Sequence, residues 1–123
     1  MSNTLGCLPY TIDPVTSTTT AAGAVLVAGT PLPQAGIPTY TIYVKFLRIN
    51  VRSITGGAVQ VGGDSTSDSP IALKVTDVGE RTIGPLQGMG LKITDNKSLT
   101  YTATGSNLDY SIQCEVQRLR NDL

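Results

Sequence analysis

From Gly90 to Val116 the chain reads GLKITDNKSLTYTATGSNLDYSIQCEV, apolar and polar residues alternating almost without a break. Side chains that change face with a period of two belong to strands with one buried side, and a helical period of 3.6 does not produce this pattern. Leu99, Tyr101 and Ala103 are expected inward, with Thr100, Thr102 and Thr104 outward. Tyr110, Ile112, Cys114 and Val116 are expected inward, opposite in phase to Ser111, Gln113, Glu115 and Gln117. Met89, Leu91 and Ile93 share a face in GMGLKITD, Asp95 to Ser98 has the residues of a hairpin loop, and Gly105-Ser106-Asn107 reads as a turn.

A second alternating run, TYTIYVKFLRINVRSI, changes phase midway. Tyr40, Ile42, Val44 and Phe46 occupy even positions, whereas Leu47, Ile49 and Val51 occupy odd ones. The switch at Phe46 and Leu47 predicts a bulge or a crossing between two buried surfaces. Gly56-Gly57 then marks a turn before AVQV. GGDSTSDSP reads as a solvated loop, Ile71, Leu73 and Val75 alternate before a turn at DVGE, and ERTIGPL is a weak strand. QRLRNDL reads as a frayed turn or a tail. Seventeen threonines and nine serines in 123 residues favour strands, since branching at Cβ suits a pleated surface. With 5% aromatic residues and no tryptophan, the core must be built from Val, Ile, Leu and Ala.

The first third differs from the rest. Between Met1 and Val44 the only charged side chain is Asp13, and five of the seven prolines fall before residue 39. Proline removes a ladder donor, so this region is not expected to hold a run of central strands. The expectation is an all-β protein: an antiparallel β-sandwich, jelly-roll-like, over residues 39–123, with an extended N-terminal arm over residues 1–38 containing one strand near Ala24 to Ala28. Because the arm is uncharged and apolar where disordered segments are charged and polar, it is expected to lie against a neighbouring subunit. Tyr10, Ile12, Pro14, Val25, Val27, Pro31, Pro33 and Ile37 are its candidate contact residues.

Charged residues make up only 15% of the chain and the formal net charge is zero, which suggests that much of the surface is covered by other subunits. There is no histidine, so Ser-His-Asp and Cys-His sites are excluded and the usual zinc ligand sets are lacking. Cys7 and Cys114 stand too far apart in sequence for a redox or zinc pair and read as two buried free thiols. The acids sit mainly in turns. Asp64 and Asp68 in GGDSTSD lack the spacing and closing glutamate of a calcium loop. No phosphate-cradling glycine motif opens a helix. Lys45, Arg48 and Arg52 read as one basic edge, solvated or subunit-facing, rather than as a nucleic-acid stripe. No enzyme activity, cofactor, metal, nucleic acid or membrane is expected. The opening residues lack a signal-peptide pattern, and AAGAVLVAG is too short to span a bilayer, so the protein is expected to be soluble and made in a cytoplasm.

The run SPIALKVTDVGERTIGPLQGMGLKITDNKSLTYTATGSNLDYSIQCEV resembles small β-sandwich proteins encoded among the structural genes of tailed bacteriophages. There a hairpin of the form gxGLxItDgxSLtvtat precedes a closing strand of the form dysiqvev. The likeness covers about half of the chain and describes a hairpin rather than a site, so Gly90, Leu91, Ile93, Asp95, Ser98 and Leu99 match as fold determinants. It implies a virion structural protein, a head decoration or cement protein on the capsid surface, whose partners are the major capsid protein and itself as a homotrimer. The alternatives are a tail-fibre, spike or neck module that binds a receptor, a glycan or another virion protein.

Overall fold

The computed structural model describes residues 7–29, 39–62, 73–88, 90–93 and 97–120, with side chains described from Val15 onward. All of the regular structure in these residues is β, and two antiparallel sheets pack face to face. The first sheet has the order β1 (Cys7–Ser17), β9 (Ser106–Arg120), β3 (Tyr40–Thr55), β6 (Gly79–Ile83), and β7 (Leu91–Lys92) also pairs with β3. The second has the order β2 (Ala21–Val27), β8 (Leu99–Ala103), β4 (Val59–Gly62), β5 (Leu73–Val75).

β3 and β9, of 16 and 15 residues, form the spine of the first sheet. Their inward residues meet directly: Val44 opposite Val116, Leu47 opposite Cys114, Ile49 opposite Ile112, Val51 opposite Tyr110. All eight are buried. Val59 and Val61 of β4, Leu99 and Ala103 of β8, Val75 of β5 and Leu26 and Val27 of β2 close the core from the other sheet. Each fully buried Leu, Ile or Val removes apolar surface worth about 1.5–3 kcal/mol from water, which makes a core poor in aromatics sufficient.

The phase change in β3 is a register break. Pairing with β9 slips between Val44 and Phe46, so one extra residue, Lys45, returns Leu47, Ile49 and Val51 to the core. Residues 84–90 cap this break. Leu86 N donates to Lys45 O at 2.8 Å, and Lys45 Nζ donates to the Gly88 carbonyl. β6 and β7, on either side of that loop, run along the same flank of β3, opposite Leu47–Val51 and Tyr43–Val44 respectively.

Several expectations need correction. Two strands occupy stretches that the sequence suggested were an arm: β1 pairs along β9, and β2, longer than the expected Ala24–Ala28 strand, pairs with β8. Both are edge strands, where a missing amide donor is tolerated, and Pro14 falls inside the register break between Ile12 and Val15. Residues 1–6 and 30–38 lie outside the described residues. The expected hairpins also differ: β7 and β8 belong to different sheets, as do β8 and β9, so the turns after Lys92 and Ala103 carry the chain across the sandwich. Among the described residues, β4 and β5 are the only sequence neighbours that pair with each other. Residues 117–120, expected to be frayed, continue β9. Met89, Ile71 and Asp95-Asn96 lie outside the described residues.

Candidate interaction surface

Among the candidate contact residues, side chains are described for Val25 and Val27 alone, and these two do not share a surface. Tyr10 and Ile12 stand opposite Val116 and Cys114 in the β1–β9 register, and Pro14 lies in its break. Val25 is 59% exposed, whereas Val27 is 2% exposed and belongs to this chain's own core, which corrects its assignment as a contact. Both are neutral and apolar, and the register break between them turns one outward and the other inward. Pro31, Pro33 and Ile37 lie outside the described residues.

The outer face of the first sheet is polar around Arg48 and Arg52. Arg52 donates from Nε and Nη2 to Asp109 Oδ1, at 3.0 and 2.7 Å, and from Nη1 to Ser111 Oγ at 3.2 Å. The hydrogen bond to Arg52 holds the Asp109 carboxyl below the usual carboxylate range, and the same contact raises Arg52. Arg48 Nε lies 3.9 Å from Glu80 Oε2. Both pairs are more than a third exposed, so solvent screens them and they add little stability. The expected basic edge is therefore corrected. β3 is an inner strand with neighbours on both sides, and Lys45, Arg48 and Arg52 are each engaged by an acceptor within the chain. Further along, Tyr43 stands opposite Gln117 and Phe46 opposite Glu115, alternating with the buried Val44 and Leu47.

The second sheet presents a different outer face. Val25 stands opposite Thr100, and Gln60 stands between Thr102 on one side and Lys74 on the other. Gly23 N donates to Thr102 Oγ1 at 3.1 Å, and Thr100 Oγ1 donates to Gly62 O at 3.4 Å. Lys74 is its one charged residue among those described.

Among the described residues, the interior holds polar groups but no paired nucleophile and base. Tyr110 donates its hydroxyl to Thr19 O at 3.1 Å, pinning the β1–β2 crossing, and its ring centroid lies 6.3 Å from that of Tyr101. Burial pushes the Cys114 thiol up to about 11, away from nucleophilic thiolate chemistry. Cys7 pairs with Leu119, five residues along β9 from Cys114, or about 16 Å at 3.3 Å per residue, well beyond disulfide reach. The sequence expectation of free thiols thus holds for Cys114, which is free and buried. No group of three or more Cys, Asp and Glu gathers among the described residues to hold a metal ion, and Asp64 and Asp68 lie outside them. One open dent, at the β5–β6 turn, is lined by Lys74 to Arg81; there Val78 N donates to Asp77 Oδ1. Its lining mixes the cations Lys74 and Arg81 with the carboxylates Asp77 and Glu80. No protein-family model, curated protein or solved structure matches the chain.

Proposed function

We propose that the chain is a virion structural protein, a head decoration or cement protein that binds a capsid exterior and stabilises contacts between major capsid subunits. The observation that carries this reading is the strand order. With β6 and β7 taken as one interrupted flank of β3, the order β1-β9-β3-β6 packed on β2-β8-β4-β5 supports an eight-stranded jelly roll, an architecture common among viral capsid domains. Fold alone does not name a job. The likeness of residues 69–116 to phage structural sandwiches adds to it, as do the low surface charge and the lack of histidine. The partners on this reading are the major capsid protein and further copies of the chain as a homotrimer, without cofactor, nucleic acid or membrane.

The test is to produce the chain together with a major capsid protein from the same genome and to compare density maps of shells made with and without it. Extra density at regular sites on the shell exterior is the expected result. Shells that are identical in both preparations overturn the proposal.

One observation favours a second reading, a glycan- or receptor-binding module: Tyr43 and Phe46 lie on the outer face in register with Gln117 and Glu115, an aromatic and polar combination suited to sugars. A glycan array without a hit removes it.

A further inference from the structure

We infer that the outer face of the second sheet, β2-β8-β4-β5, is the surface that meets the shell, and that it meets a weakly charged protein surface through several copies at once. This rests on the capsid reading above and names the contact face within it.

The edges are poor docking sites. β1 is interrupted at Pro14, the β6–β7 flank is interrupted by residues 84–90, β2 breaks register twice, and β5 has only three residues. A partner strand needs an unbroken row of amides and carbonyls, so partners must use a face. The two faces differ in charge. The first sheet carries two ion pairs, Arg48–Glu80 and Arg52–Asp109, already satisfied within the chain. The second carries Val25, Gln60, Thr100 and Thr102 with Lys74 at one side, the depletion of charge found in interface centres. Val25 and Val78, 59% and 61% exposed, belong to the β2 edge and to the turn after β5, on opposite sides of this sheet.

Area calls for several copies. Four strands at about 4.8 Å spacing and at most seven residues at about 3.3 Å give a footprint of about 400 Å². A stable two-body interface buries about 800 Å² per partner, so one copy of this face is too small to hold any single partner stably, whether a second copy of the chain or one shell subunit. Copies tethered to one another gain the missing strength by engaging the shell together.

The test uses shells assembled without this chain and measures co-sedimentation of the full-length protein. Val25→Asp and Gln60→Glu are each expected to weaken binding at least 10-fold with unchanged melting curves. Gln113→Glu on the other sheet is expected to stay within twofold of wild type, and wild-type binding to change less than twofold between 50 and 500 mM salt. Acetylation of the wild-type complex provides a readout that needs no variant: Lys74 becomes protected while Lys92 stays reactive. Wild type that fails to bind shells overturns the capsid reading itself. Wild type that binds while Lys74 stays reactive, or while Gln113→Glu alone weakens binding, overturns the choice of face. A wild-type dimer in solution that Val25→Asp dissolves overturns the choice of occupant.

Discussion

Gly84 and Gly90 flank the loop that caps the β3 bulge, and a Cβ at these positions would sit 2.4 Å from Lys45 O and 2.3 Å from Val44 O. Both have positive φ, +87° and +92°, so an alanine meets a backbone clash and a disfavoured conformation together. Gly90→Ala is expected to lower stability by about 2–4 kcal/mol, read from a reduced urea midpoint at constant slope. Cys114 gives a prediction with a pH sign. Its thiol ionises near 11 when folded against an ordinary 9, so the folded state keeps its proton where the unfolded chain loses it. Its contribution to stability is fully present below pH 9 and declines as the pH rises to 11. In a Cys7→Ser background, Cys114 is expected to resist iodoacetamide at pH 8 until denaturant unfolds the protein; rapid labelling of the native chain would contradict its burial. Inward positions such as Tyr110 and Cys114 were legible because alternation is local. The fate of Val25 and Val27 was not, because a neutral apolar side chain suits a core and an interface equally.

At the scale of elements, the bulge in β3 was legible and the role of the first third was not. A phase change at Phe46 and Leu47 is written in residue parity, but the register break falls one residue earlier, between Val44 and Phe46, which leaves Phe46 on the outer face instead of in the core phase. The prolines and the single charge, Asp13, in residues 7–17 point equally to an arm and to an edge strand, and only the partner, β9, distinguishes them. Deleting residues 1–38 would therefore strip one strand from each sheet and would test folding rather than docking. Removal of residues 1–17 alone is expected to expose one whole side of β9, from Tyr110 to Leu119, and to cause aggregation, visible as turbidity at concentrations where the full chain stays clear. Equal clarity of the two preparations would show that β1 contributes little protection.

For the molecule as a whole, alternation shows which residues face the core but not which sheet a strand joins. That is why Leu91–Lys92 and Leu99–Ala103 looked like a hairpin although they pair in different sheets. The strand order also makes a prediction of its own. A chain ending at Gly105 keeps eight strands but lacks the one that joins β1 to β3, and it is expected to show no cooperative thermal transition. A sharp transition in that fragment would mean that the second sheet folds without the first.

β9 follows every other strand in the chain yet sits between β1 and β3. A ribosome must therefore have released the residues up to Arg120 before the first sheet can close, and until then the register breaks in β1 and β2 are what discourages stray pairing of the waiting strands.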